Sequence, residues 1–214
     1  VVSSFRLRPA FAGDCGTVLR LISQASAWLQ SIGSDQWQRP WPTRVQRDQR
    51  VWDALLRGET WMLCDGLAPI ATVSATLKAN EDLWGEPGDT AIYLHRLVVD
   101  RRYGGQGLGA LLLNWVGECA LHEHAAHCLR IDVWSKNTAL QRYYHEQGFT
   151  RVHREIKIPD YPAGVLLERD IRAFRAVPST PFLVEPSLGT VLSGRPVRQG
   201  GWLEEPVPQT PWAS

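Results

Sequence analysis

The chain has 214 residues, 44% hydrophobic and 21% charged, enough for one domain with a sizeable core and an appendage. Its 23 Lys and Arg against 22 Asp and Glu leave a formal charge of +1, which counts against nucleic acid or an anionic membrane as a partner. No apolar run approaches the ~20 residues that span a bilayer, FRLRPAFAGD lacks the zones of a secretory signal, and Cys15, Cys64, Cys119 and Cys128 show no CxxC spacing; a cytoplasmic protein with reduced thiols is expected.

In chain order, Phe5 to Arg8 reads as a short strand. A helix is predicted over Asp14 to Ser31, with Val18, Leu21, Ile22, Ala25, Trp28 and Leu29 on one face and Gly33 as its stop. The loop SDQWQRPWP leads to a second helical pattern, Arg44 to Arg57, whose apolar stripe is Val45, Val51, Trp52, Leu55 and Leu56. Strands follow at Thr60 to Cys64, Ile70 to Leu77 and Ala91 to Val99. A helix from Gly107 to about Leu121, a strand Leu129 to Trp134, a helix Thr138 to Gln147 and strands Phe149 to Ile156 and Val165 to Arg169 complete the body. The order βααβββαβαββ predicts an α/β domain with a mixed sheet over residues 1–171. Residues 172–214 hold seven of the fourteen prolines and no sustained periodicity, and read as an extension. Phe182, Leu183, Val184 and two tryptophans in it imply docking on its own domain or on a second subunit.

The stretch LVVDRRYGGQGLGALLL is the most informative. Four glycines within GGQGLG, directly before an amphipathic helix, expose backbone amides unobstructed by side chains, a site that favours phosphate oxygens. A mere tight turn needs fewer glycines. Gly105, Gly107 and Ala110 also fit a dinucleotide fingerprint, with Asp132 at a suitable distance, but Asp100, Arg101, Arg102 and Tyr103 separate the strand from the first glycine, and too little chain follows for a doubly wound sheet. A Walker loop is excluded by the missing G-K-[ST].

This loop resembles the acyl-CoA motif of the GCN5-related N-acetyltransferase (GNAT) family. A second element, NTALQRYYHEQGFTRV, is similar to the family's N-x-x-A-x-x-x-Y-x-x-x-G-F, with Asn137, Ala139, Tyr144, Gly148 and Phe149 on its marked positions. One position departs: Gly104 stands where the family usually has Gln or Arg, and Arg101 or Arg102 is left to supply that charge. The resemblance implies a mostly antiparallel mixed sheet with splayed central strands flanked by helices. It also implies acetyl-CoA, or another acyl-CoA, as cosubstrate. Gly104, Gly105, Gln106, Gly107, Leu108, Gly109 and Ala110 would hold its pyrophosphate, Val98 and Val99 its pantetheine, and Asn137 is expected to contribute. The Leu97 amide would face the thioester carbonyl as an oxyanion donor, and Tyr144 would protonate the departing thiolate.

For the base, His95 is the first candidate, since an imidazole titrates near neutral pH; Tyr93, Asp132 and a water chain stay open. The acceptor, a small-molecule amine, is expected between the SDQWQRPWP loop, the next helix and Trp134, with Trp37 and Trp41 as apolar walls and Asp35 as the carboxylate for a cationic amine. Tyr93 is a further candidate there. The arginines at 39, 44, 47, 50 and 57 read as a solvated face. No metal is expected at Cys119, His122, His124, His127 and Cys128, whose spacing mixes helical and irregular offsets and whose histidines suit a helix C-terminus. The implied activity is acetyl transfer by direct attack; a non-catalytic acyl-CoA-binding module, or a transferase using another donor such as aminoacyl-tRNA, is the alternative. Homodimerisation is common in the family and would suit the extension.

Overall fold

Alternating apolar positions in the strands sort their side chains onto two faces of one sheet. The computed structural model describes residues 5–40, 42–85, 90–153, 156, 158, 161, 164–172 and 182–185. The elements are β1 (Phe5–Pro9), α1 (Cys15–Ser31), α2 (Arg44–Leu56), β2 (Thr60–Asp65), β3 (Ala68–Thr76), the single turn α3 (Glu81–Trp84), β4 (Ala91–Val99), α4 (Leu108–His124), β5 (Cys128–Val133), α5 (Thr138–Glu146), β6 (Thr150–Val152), β7 (Val165–Asp170) and β8 (Leu183–Val184). The strands form an open sheet in the order β6-β7-β5-β4-β3-β2-β1-β8. Only β4 with β5 and β1 with β8 run parallel among the described pairs. The fold is the mixed, mostly antiparallel α/β architecture that the sequence implies.

On the first face, Trp61 and Leu63 of β2, Ile92 and Leu94 of β4, Ile131 of β5 and Leu167 of β7 share a core with Leu112, Leu113 and Val116 of α4 and Tyr144 of α5. Full burial of one leucine such as Leu112, 0% exposed, stabilises by about 1.5–3 kcal/mol. On the second face, Met62, Cys64 and Val98 pack with Val18, Leu21 and Ile22 of α1 and with Val51 and Leu55 of α2. Ala91, Tyr93, Cys128 and Leu166, farther along the same face, pack with Leu83 and Trp84 of α3. One-residue alternation along β2 and β5 therefore decides which helix layer each side chain meets. Among the described residues no helix is long and apolar enough to cross a membrane.

Several boundaries differ from the sequence reading. The stripe of α2 is rotated: Val51, Ala54 and Leu55 are buried, whereas Val45, Trp52 and Leu56 face outward. α3 lies between two expected strands where the sequence shows no helix, because one turn is too short to show a period; the Asn80 side chain caps it by accepting from the Asp82 amide at 3.2 Å. β6 covers only Thr150–Val152 of the run expected from Phe149 to Ile156. Phe149 instead donates its amide to the Tyr144 carbonyl at 3.0 Å, closing α5, and turns its ring into the first-face core.

The extension returns to the sheet. β8 pairs with β1 through Arg6↔Leu183 and Leu7↔Val184, the Glu185 amide donates to the Leu7 carbonyl at 2.8 Å, and Phe182 is 5% exposed in the core. These contacts cover the edge that β1 would otherwise present. The two tryptophans of the extension lie outside the described residues.

Candidate active site

The site begins where β4 and β5 part. They pair through Ala91↔Cys128, Ile92↔Leu129 and Tyr93↔Arg130 and then diverge, leaving a cleft of about 290 Å³ between Leu94 to Leu97 on one side and Ile131 to Trp134 on the other. On its β3 side β4 remains paired, but with a bulge. Ser74 faces His95 and Thr72 faces Val98, so Arg96 and Leu97 together oppose the single residue Val73. Arg96 takes φ 52° to make this possible, a left-handed conformation that costs a non-glycine residue about 1–2 kcal/mol.

The bulge changes which side chains meet which face. Before it, Ile92 and Leu94 belong to the first face; after it, Leu97 and Val99 do, while Val98 joins the second-face cluster. His95 falls on the second face, in the alternation that starts with Ala91 and Tyr93. Leu97 and Tyr144 therefore approach the cleft from the α4 and α5 side, and His95 and Asp132 from the α1 and α2 side. Along Leu94 to Val99, β4 has no strand partner toward β5 among the described residues, and its backbone groups on that edge can pair with an extended amide ligand.

The glycine loop lies between β4 and α4. α4 starts at Gly107, φ 73°, without a side-chain cap, and Gly105 is also left-handed at φ 80°. A Cβ added at either residue would meet nothing within 4 Å, so the space before the first amides of α4 is open to a ligand while the backbone itself demands glycine. At Gly109 the reason is different: a Cβ there would fall 2.6 Å from Tyr143 Oη, so glycine is what lets α5 approach α4. Gly104, Gln106 and Gly107 are exposed, Ala110 is half-buried, and Leu108 is buried as the anchor of the helix start. Side chains brace the loop: Arg102 donates from Nη2 to Asp100 Oδ2 at 2.8 Å, Tyr103 Oη donates to Asp65 Oδ2 at 2.9 Å, and the Arg101 guanidinium lies 3.6 Å over the Trp28 ring. This open glycine cradle fits the pyrophosphate of coenzyme A.

Tyr144 is 3% exposed and wedged edge-on between Tyr143 and Phe149, with ring centroids 5.3 and 5.4 Å away. Burial, with smaller contributions from Tyr143 and Asp132, pushes its phenol well above the usual range, so it keeps its proton at neutral pH. Asn137 fixes the helix that carries it. Its Oδ1 accepts from the Leu140 amide at 2.9 Å, capping α5, and its Nδ2 donates to Gln36 Oε1 at 2.6 Å, which ties α5 to the loop after α1. Asn137 does not line the cleft.

The His95 imidazole is pushed below its ordinary value by burial, against the pull of Asp132, and is therefore neutral at pH 7. Asp132 accepts the Tyr161 hydroxyl at 2.7 Å. Among the expected acceptor residues, Trp37 and Trp134 line the cleft; Trp37 does so at φ 64°. Asp35 is not among the lining residues. Its two oxygens accept from Trp134 Nε1 at 2.6 Å and Lys136 Nζ at 3.0 Å, so it positions Trp134. Tyr93 is 2% exposed, packed edge-on to Trp84 and hydrogen-bonded by Arg130 Nη1 at 3.2 Å, away from the cleft. Trp41 lies outside the described residues.

Five cleft residues, Tyr161 and four arginines, carry no signal in the sequence that places them there. Tyr161 comes from the connection between β6 and β7, where no pattern marks it. Arg39, Arg47, Arg50 and Arg96 line the cleft, whereas the charge pattern of the first three predicts a solvated face; helix periodicity does not show that the second face ends in an open gap. A second cavity of about 330 Å³ meets the first at Arg50, His95, Arg96, Asp132 and Tyr161. Among the described residues, no group of three or more His, Cys, Asp or Glu is placed to hold a metal.

Known proteins give the same picture. Residues 27–149 match the model of the acetyltransferase (GNAT) family. The chain is 29% identical over 180 residues to the uncharacterized N-acetyltransferase YesJ of Bacillus subtilis (strain 168), covering 81% of this chain and 94% of that protein. A GNAT acetyltransferase of Listeria monocytogenes 4b F2365 superposes with a TM-score of 0.62 at 21% identity, covering 78% of this chain and 94% of its own. The PaiA N-acetyltransferase of Thermoplasma acidophilum, solved with coenzyme A, superposes with a TM-score of 0.60 at 16% identity, covering 78% and 99%. Cleft, glycine cradle and family match agree, and the chain belongs to the GNAT acetyltransferase family.

Proposed function

We propose that this protein transfers the acetyl group of acetyl-CoA to the nitrogen of a small-molecule amine by direct attack. The observation that carries this reading is the junction of an open β4–β5 cleft with an uncapped, side-chain-free helix start and a buried phenol on the same face. Acetyl-CoA, when bound, supplies an acyl thioester whose carbonyl carbon accepts the amine and whose sulfur departs. The amides of Gly105 to Ala110 hold its pyrophosphate, and the open edge of β4 around Val98 and Val99 pairs with its amides. Leu97, at the bulge, donates its N–H toward the carbonyl oxygen as negative charge develops there. His95, neutral and on the opposite face, takes the proton that the attacking ammonium must lose. Tyr144 gives its proton to the departing sulfur.

Release of CoA thiol from acetyl-CoA, followed across a panel of primary amines with mass spectrometry of the products, tests this. Amine-dependent thiol release with an N-acetylated product is expected. Saturable acetyl-CoA binding with no amine-dependent release would favour a non-catalytic binding module.

A further inference from the structure

The cleft carries more positive charge than transfer to a simple amine needs. Among the described residues Arg39, Arg47, Arg50 and Arg96 all line it, against one lining carboxylate, Asp132, which already accepts the Tyr161 hydroxyl; Arg50 has a partner of its own, and the cation that matters here is Arg96. Arg47 is answered by Asp48 at 2.7 Å. Glu59, the other acid whose charge reaches Arg96, is held by Arg57 at 2.8 Å and Thr76 at 2.7 Å. Arg96 donates Nη2 to the Arg50 carbonyl at 3.0 Å and forms no ion pair among the described residues. Burial first, and then repulsion from Arg50 and Arg57, lower its pKa to about 10 against the pull of Glu59 and Asp132. It is also the residue held at a strained left-handed φ in the bulge, one position from His95 and at the junction of the two cavities. A half-buried cation in an open cleft calls for an anion, and the planar guanidinium fork matches an oxyanion with two coplanar oxygens.

We infer that the acceptor is an amine carrying an oxyanion of its own, a carboxylate or a phosphate, which Arg96 grips with Arg50 beside it while the amino group reaches His95. This rests on the transferase reading and deepens it by naming the substrate class. The flanking Trp37 and Trp134 walls leave room for a small metabolite.

The test uses three probes that share an amine: 3-aminopropanoate, its carboxamide, and 2-aminoethyl phosphate. Each is assayed for turnover with acetyl-CoA and for binding to the full chain by saturation-transfer NMR, in the wild type and in Arg96→Gln. At least one charged probe should exceed the carboxamide by tenfold or more in kcat/KM, and which one does so identifies the oxyanion. Arg96→Gln should reduce that preference to threefold or less. If Arg96→Gln does not fold, Arg50→Gln, on an exposed turn of α2, gives the same comparison. A carboxamide used as well as both charged probes, or a preference untouched by the substitution, overturns the inference. Failure of both charged probes to bind also overturns it, whatever the turnover with other amines. Arg-dependent binding of a charged probe without acetylation of any amine would instead keep the anion site and remove the transferase reading.

Discussion

The two sides of the β4–β5 cleft are built from different materials. On the α4 side, apart from the Tyr144 phenol, the groups open to a ligand are backbone amides, exposed by Gly105 and Gly107 and braced from behind by Asp100, Tyr103 and Trp28. On the α1 and α2 side they are side chains gathered from separate stretches: the loop at Trp37, α2, the bulge of β4, β5 at Asp132, and Tyr161. The bulge at Arg96 is the seam between them, because it reverses the alternation that would otherwise put His95 and Leu97 on the same face. With acyl donor and amine bound as proposed, a donor side made of backbone tolerates many neighbouring sequences, an acceptor side made of side chains can change its ligand with few substitutions, and the two can vary independently.

That contrast is open to breaking. The largest effect is expected at Tyr144→Phe, which keeps the edge-on packing against Tyr143 and Phe149 but removes the proposed proton donor. kcat should fall by ~10²-fold or more with little change in KM for acetyl-CoA, because the proton matters chiefly in the transition state; steady-state kinetics with equal turnover in both proteins would remove Tyr144 from the chemistry. Gly107→Val comes next. It places a β-branched side chain at φ 73° and fills the open cradle, so calorimetry should show acetyl-CoA affinity at least tenfold weaker, about 1.4 kcal/mol, while the selectivity among amines stays put.

His95 sharpens the contrast through pH. Burial lowers its pKa, so the acidic limb of kcat/KM should lie below the ~6.5 of an exposed imidazole, with activity lost as pH falls through the limb and the base becomes protonated. In His95→Gln that limb should vanish; its persistence would assign it to another group. The same depressed pKa has a sign for stability: the unfolded chain takes up the proton first, so wild type should lose stability as pH falls below ~6.5, and His95→Gln should lose less over that window. The smallest effect is expected at Asp35→Asn, which loosens Trp134 and removes the contact with Lys136; KM for the amine should shift a fewfold in initial-rate assays, with the acetyl-CoA Kd unchanged.

The backbone side was readable in the sequence because its requirements are local. Glycines at fixed offsets before an amphipathic helix state where amides will be free, and Asn137 at its offset before Tyr144 marks a helix start even though its structural task proved to be capping and a tie to Gln36. The side-chain side was less readable. Arg96 adopts a glycine-like conformation without being glycine, so no turn signal announces the bulge. Tyr161 and the arginines of α2 meet only after β4 and β5 separate, and nothing within a dozen residues of any of them encodes that meeting. Asp35 looked like a free carboxylate because its partners, Trp134 and Lys136, lie about a hundred positions away. β8 was hidden for the same reason: its partner is β1, at the other end of the chain.

The most direct test of a cleft entered from two faces is a crystal structure of the protein with coenzyme A. The pyrophosphate should sit on the amides of Gly105 to Gly109, and the sulfur should lie within hydrogen-bonding reach of Tyr144 Oη, about 3.5 Å or less, with the His95 and Arg96 side left open to solvent. Coenzyme A bound away from the glycine loop, or with its sulfur emerging among the α2 arginines, would contradict it.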